Sequence, residues 1–326
     1  MFTVKALKEW AAAMTERGAE VRTIGRSVFG KDIIAAKAGG GVKKIIVTAA
    51  IHARENVTAS LVAEAALGYK GNATVWFVPL VNPDGAELVA NGAEALGAED
   101  ERTETFGGRG FMPKEAGATV TEYGSDKTEL ADYGDKEFRT ADTFTEALGA
   151  AGEALIRLNG GSRDFSLWKA NARGVDLNVN FDANFGQGRQ NVFSPALENY
   201  VGEYPFSEPE TRALRDFTLE VEPDLTISYH AKGRLVYWYF GQSGEAKERD
   251  RRIASEAAKT LGYSLGAAFT DSAGGYKDWC VSALGIPALT IETVRDTLAH
   301  PLPENALTEA EKRRNFALIN TIERFL

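Results

Sequence analysis

With 326 residues, 44% of them hydrophobic, the chain has enough apolar material for one large core or two modest ones. Its net charge of −9 argues against nucleic acid or an anionic membrane as a partner, because phosphate binding needs a basic surface. A lone cysteine, Cys280, excludes an intramolecular disulfide and a thiolate metal cage, so any metal must be held by imidazole and carboxylate.

Residues 1–18 place Val4, Leu7, Trp10 and Met14 at helical spacing among charged residues. No signal-peptide core or long apolar span follows, so a cytoplasmic protein is expected. Residues 44–50 form a short β-branched run that predicts a buried strand; His52 comes next, then a helical pattern carrying Leu61, Val62, Ala65 and Ala66. A second such run, 74–81, leads into Asn82-Pro83-Asp84-Gly85, turn chemistry from which the next helix starts.

From about 92 to 165 the rhythm is lost in a stretch rich in Gly, Glu, Asp and Thr, with a helix predicted over 144–158. We read it as an insertion into a single domain spanning 1–326, since no linker or internal repeat divides the chain. Ser207-Glu208-Pro209-Glu210 and Thr308-Glu309-Ala310-Glu311 match the capping-box pattern, each opening a helix. Strands are expected at 225–229, 234–240 and 288–291, and a helix at 245–261. The alternation predicts an α/β fold with a three-layer α/β/α arrangement.

Three chemically capable residues terminate three of these strands. His52 and His230, two of only three histidines, follow buried runs, and Glu292 ends the run Ala288-Leu289-Thr290-Ile291. Glu55 lies one turn beyond His52, close enough for an imidazole and a carboxylate to grip one ion. A His-x-x-Glu pair alone is common and usually only stabilises a helix start. The joint arrangement is more telling, because open α/β sheets keep their ligands where strands finish. His52, Glu55 and His230 would hold one Zn2+ with a fourth position open, the catalytic type of site. Glu292, in a desolvated position where an idle charge is costly, is the candidate general base.

His52-Ala53-Arg54-Glu55, Asn82-Pro83-Asp84-Gly85, Gly174-Val175-Asp176-Leu177-Asn178, Ser228-Tyr229-His230, Gly275-Tyr276-Lys277-Asp278-Trp279 and Thr290-Ile291-Glu292 resemble, in that order, the motifs of the zinc metallocarboxypeptidase family. The resemblance implies a mixed sheet of eight strands between helices, with His52, Glu55 and His230 on zinc and Glu292 as base. It implies that Asp176 accepts the other ring N–H of His52 and fixes its tautomer. By the same likeness Arg54 polarises the scissile carbonyl or meets an upstream substrate residue, and Lys169 stands where the family often has an oxyanion-stabilising arginine.

Two positions depart from the family's exopeptidases. Asp176-Leu177-Asn178-Val179-Asn180 carries Val179 where those enzymes have an arginine that forks onto the substrate's terminal carboxylate. Thr270 replaces their mobile tyrosine. The segment from Asn159 through Trp168-Lys169-Ala170-Asn171 to Asn178 is most similar to the branch that cuts γ-D-glutamyl-meso-diaminopimelate bonds in cell-wall peptides. Such carboxylate-rich substrates lead us to expect a cationic lining from Lys169, Arg173, Lys232 and Lys277, with Asn178 and Tyr276 completing the substrate-binding set. The alternatives are a broader carboxypeptidase that removes C-terminal residues and a non-catalytic binding protein on the same fold. His300 receives no role.

Overall fold

The computed structural model describes residues 1–96, 151–267 and 271–326. The strands are β1 (Glu20–Arg26), β2 (Asp32–Ala38), β3 (Lys44–Ala49), β4 (Thr74–Val78), β5 (Leu225–Ala231), β6 (Leu235–Tyr237), β7 (Ser264–Leu265) and β8 (Ala288–Thr293). They form one eight-stranded sheet in the order β1-β2-β4-β3-β5-β8-β6-β7. The central strands β4, β3, β5 and β8 run parallel. Antiparallel pairing joins β1 to β2, β2 to β4 and β6 to β8. The mixed sheet implied by the family resemblance is therefore present.

Helices cover both faces, because the side chains of a strand alternate between them. Ile45, Val47 and Ala49 of β3 join a core with Leu7, Trp10 and Met14 of α1 (Val4–Glu16), Leu61 and Val62 of α2 (Val57–Leu67), Ile253 of α6 (Gly244–Leu261) and Leu318 of α8 (Glu309–Thr321). Ile46 of β3, with Trp76 and Val78 of β4, packs on the opposite side. Its neighbours there are Leu214 and Phe217 of α5 (Pro209–Val221) and Trp279 and Cys280 of α7 (Tyr276–Leu284). A third cluster, beside the carboxyl ends of the central strands, joins Ala53, Leu88 of α3 (Pro83–Asn91), Leu155 of α4 (151–158) and Trp168. Among the described residues, no helix is long and apolar enough to cross a membrane.

The first two strands escape a sequence reading for a physical reason. β1 is half exposed with no clean alternation, and β2 follows its two buried isoleucines with Ala35 and Ala36, alanine being a poor strand former. The run expected over 234–240 is a strand only from Leu235 to Tyr237. The Thr308 capping box forms, with reciprocal bonds to Glu311. The Ser207 box does not, because Glu208 is the N-cap and Pro209 occupies the first turn. The Ser207 hydroxyl instead donates to Glu208 Oε1 at 2.9 Å.

Glu210, freed from capping, accepts from the Val28 N–H at 3.1 Å and from Asn171 Nδ2 at 3.3 Å. Burial, then the neighbouring Glu208 and Asp84, push its carboxyl up to about 8. A folded-state value raised above the ordinary one near 4.3 means that the proton is held more tightly by the folded chain. The contribution to stability is therefore full below about pH 4.3 and is lost as pH rises through the raised value. Glu210→Gln removes that loss. Its melting temperature should gain on the wild type between about pH 6 and pH 9, and parallel melting profiles by calorimetry would contradict the burial argument.

Candidate metal and catalytic site

Where β3 ends, Ala50 turns the chain with a left-handed φ of 47°. His52 then precedes a single 3₁₀ turn, Ala53–Glu55, which points His52 and Glu55 the same way, with Nδ1 2.8 Å from Oε1. Two other segments hold this loop. The Ala53 N–H donates to the Lys169 carbonyl at 3.1 Å. Asn82 donates through Nδ2 to the Ile51 and Ala170 carbonyls while its Oδ1 caps α3 at the Gly85 N–H. Gly85 must lack a side chain, since a Cβ there would lie 2.7 Å from that of Ala53.

The partner strand brings the second imidazole. β5 pairs with β3 in parallel through Thr48↔Ser228 and Ala49↔Tyr229, the two hydroxyls 2.8 Å apart, so the next residue, His230, emerges beside His52. Their Nδ1 atoms are 3.2 Å apart, and His230 Nδ1 is 3.2 Å from Glu55 Oε2, which also accepts from the Ala231 N–H. β8 continues the set, because Glu292 is the register partner of His230.

His52, Glu55 and His230 are buried, and one donor atom from each falls within 4.8 Å of the others. The arrangement fits zinc. Two nitrogens on a tetrahedral zinc at about 2.0–2.1 Å stand roughly 3.3–3.4 Å apart, close to the 3.2 Å between the two Nδ1 atoms. Two ring nitrogens facing each other otherwise need a proton between them. Burial works against a charged His52, but the Glu55 and Asp176 carboxylates together outweigh it and its pKa is raised. Burial alone would also raise Glu55, yet His52 and hydrogen bonds from both rings hold it far below the carboxylate range.

Behind the rings, Asp176 is fully buried. Its Oδ1 lies 3.2 Å from His52 Nε2 and accepts the Asn178 N–H; its Oδ2 accepts the Asn199 N–H and pairs with Lys169 Nζ at 2.8 Å. Burial opposes the charge of Asp176, but Lys169 and His52 hold its pKa well below the usual range. With Nε2 committed to Asp176, the lone pair of His52 is left on Nδ1, facing Glu55 and His230. Glu292 is pushed up to about 7 by burial, which outweighs the pull of His230.

The sequence pattern of the zinc carboxypeptidases matches residues 5–315. The chain belongs to the zinc carboxypeptidase family. The family is one of zinc hydrolases, and the His52, Glu55 and His230 cluster is a group that could hold one such ion. Gamma-D-glutamyl-L-diamino acid endopeptidase 1 of Lysinibacillus sphaericus is 28% identical over 299 residues, covering 86% of this chain and 61% of that protein. Murein peptide amidase A of Escherichia coli (strain K12) is 28% identical over 161 residues, covering 47% of this chain and 59% of that protein. Both alignments thus span about three fifths of the relative's own length. Among solved structures, bovine thrombin-activatable fibrinolysis inhibitor in complex with tick carboxypeptidase inhibitor shares the fold, with a TM-score of 0.66 at 19% identity over 99% of this chain and 95% of that one.

Against this family background the expected substrate contacts need revision. Tyr276 belongs to the core: it is fully buried, its hydroxyl is 2.7 Å from that of Thr218, and its ring stacks on Trp279, so it leaves the substrate-binding set. Asn178 Oδ1 accepts the Tyr276 N–H at 3.1 Å, fastening the half-buried Asn178 to the start of α7. Gly274 lets this junction close, since a Cβ there would sit 2.7 Å from the Val179 carbonyl oxygen.

The expected cationic lining is largely neutralised from within. Lys169 pairs with Asp176, Arg173 with Glu208 at 3.6 Å, Lys232 with Asp296 at 3.0 Å, and Lys277 with Asp278 and the Tyr239 carbonyl. Arg54 is held by Glu198 at 2.9 Å. Thr270, and the middle of the 92–165 stretch, lie outside the described residues. Cys280 is buried, with its thiol pushed up to about 12, and takes no part. His300, given no role from sequence, lies within electrostatic reach of Arg54, Glu55, Lys232 and His52. Its one sequence signal is that it is the remaining histidine, on the segment that leaves β8.

Asp176→Asn keeps the shape but removes the charge behind His52, so zinc affinity should fall about 10–100-fold, read by competition with a chelating dye. Unchanged affinity would mean that Asp176 serves only the loop. Because ligating histidines must be neutral, and His52 has a raised pKa, protons should displace zinc as pH falls below about 6. Metal analysis after dialysis at about pH 4 checks this, and full occupancy there would contradict the assigned ligands.

Proposed function

We propose that this chain is a zinc-dependent peptidase that hydrolyses an amide bond in cell-wall-derived peptides, namely the bond from γ-linked D-glutamate to a diamino acid such as meso-diaminopimelate. The hydrolytic part rests on one observation, the His52, Glu55 and His230 cluster with Glu292 paired to His230 in register. The choice of bond is supported by the two relatives, whose names specify a γ-D-glutamyl diamino acid bond and a murein peptide, and by Val179, whose side chain cannot fork onto a terminal carboxylate.

Zinc, when bound, supplies a Lewis acid and lowers the pKa of a coordinated water. The chain's own residues do the rest. Glu292, partly exposed, takes the proton of the attacking water and returns it to the departing amine, which a carboxyl tuned toward neutrality does well. Before the reaction, Glu292 would be favoured in its ionised form by zinc held by the neighbouring His230. Lys169 holds Asp176 in place and lends positive charge to the face of His52 and Glu292, although its pairing with Asp176 limits it as a direct oxyanion donor.

Incubation with γ-D-glutamyl-diamino acid peptides should yield the products of that single cut by mass spectrometry. Glu292→Gln should retain zinc and lose about 10²–10⁴ in turnover; near-normal turnover would remove Glu292 from the mechanism. Cleavage that requires a free C-terminus, lost on the C-terminal amide, would favour the carboxypeptidase reading. Bound zinc without turnover on any wall peptide would favour the binding protein.

A further inference from the structure

Glu55 is the ligand of the metal cluster that must meet both of the others. Its Oε1 lies 2.8 Å from His52 Nδ1, while its Oε2 is 3.2 Å from His230 Nδ1 and accepts the Ala231 N–H at 3.1 Å. A small displacement of its backbone would take the carboxylate off one of the rings. The 3₁₀ turn that carries it, Ala53–Glu55, is only three residues long, too short to hold itself in place. Its leading end is fixed by the bond from the Ala53 N–H to the Lys169 carbonyl. Beyond the local Thr58 hydroxyl, which donates to the Glu55 carbonyl at 2.8 Å, its trailing end is fixed through Asn56.

Asn56 holds the N-cap place of α2, where an asparagine commonly turns its side chain to its own helix. Here its backbone is helical, with φ −55° and ψ −26°, and the side chain makes no capping bond. Both ends of the amide go instead to one residue 54 positions away: Oδ1 accepts the Phe2 N–H at 2.5 Å, and Nδ2 donates to the Phe2 carbonyl at 2.6 Å. Asn56 and Phe2 are buried, so losing either bond leaves a polar group unpaired away from water. The Phe2 ring joins the main core. Two residues on, the Val4 N–H donates to Glu87 Oε1 of α3 at 2.8 Å, and α3 is the helix whose N-cap, Asn82, grips the Ile51 carbonyl beside His52. Residues 2–4 thus tie the trailing side of Glu55 to the helix that holds the approach to His52.

We propose that the paired bonds between Asn56 and Phe2 set the place of Glu55 on the metal, which makes Asn56 a positioning residue of the zinc site and residues 2–4 its outer support. This role is independent of which peptide bond is cut.

Zinc affinity, read by competition with a chelating dye well below each melting temperature, tests it. Asn56→Ala removes both bonds. Phe2→Pro removes the N–H that Oδ1 accepts, whereas Phe2→Leu keeps the backbone pair and loses only ring packing. Affinity should fall about tenfold in Asn56→Ala, the scale seen when a group behind a ligand is lost, and by about threefold or more in Phe2→Pro. Phe2→Leu should melt earlier than the wild type yet bind zinc within about twofold of it. Cobalt(II) in place of zinc reports the geometry directly, and its visible absorption should move in Asn56→Ala but not in Phe2→Leu. A clasp that served only the fold would lower melting temperatures and leave affinity and spectrum alone. An Asn56→Ala protein that binds zinc like the wild type, or equal losses of affinity in Phe2→Pro and Phe2→Leu, would overturn the proposal. Should Asn56→Ala not fold, the two Phe2 variants decide by themselves.

Discussion

Two imidazole nitrogens 3.2 Å apart, with a carboxylate oxygen 2.8 Å from one and another 3.2 Å from the second, form a contact that only shared positive charge makes favourable. The fold is arranged to impose it. β3 and β5 diverge at the sheet's switch point, since the chain leaves β3 toward β4 on one side and reaches β5 on the other, the place where open α/β sheets bind ligands. A slip of one residue between these strands would send His230 to the opposite face. The Thr48 and Ser228 hydroxyls and the fully buried side chains around them hold the register against that slip.

Charge explains the rest of the cluster. Glu55 and Asp176 against the Lys169 ammonium leave one negative charge, Glu292 adds a second, and a divalent cation cancels both. Without the cation the cluster relieves its excess through protons, and the raised value of His52 between Glu55 and Asp176 expresses this. Lys169 is as much a member as the ligands, because it balances the carboxylate that orients His52. An unbalanced Asp176 at that depth would be costly.

The sequence displays what is local and periodic. His52, His230 and Glu292 could be found because each ends a run of buried β-branched residues, and Glu55 because one turn of chain separates it from His52. The eight strands were legible only through family likeness, since β1 and β2 lack the apolar alternation that announces a strand. Pairings between distant side chains leave no trace in composition. Nothing in the neighbourhood of Arg173 or Lys232 marks them as already engaged, and Tyr276 reads as a site residue until the turn into α7 directs its ring to the core. The Ser207 box failed because Pro209 reset the helix start by one residue, a competition that a four-residue pattern does not weigh.

The backbone around the site is held in conformations the chain would not choose. Ala50, two residues before His52, and Val294, two after Glu292, both have left-handed φ, 47° and 62°. For non-glycine residues such angles cost on the order of 1–3 kcal/mol each, and more for a β-branched side chain such as valine. Both residues are anchored from outside the turn. Ala50 donates to the Thr58 hydroxyl and accepts from the Asn82 N–H; Val294 is fully buried in the main core and accepts from the Gly233 N–H. The packing of α2, α3 and the central strands thus offsets the strain at the ends of β3 and β8. A site built this way reaches its ligand geometry before the ion or the substrate arrives, so little of their binding energy is spent on ordering it.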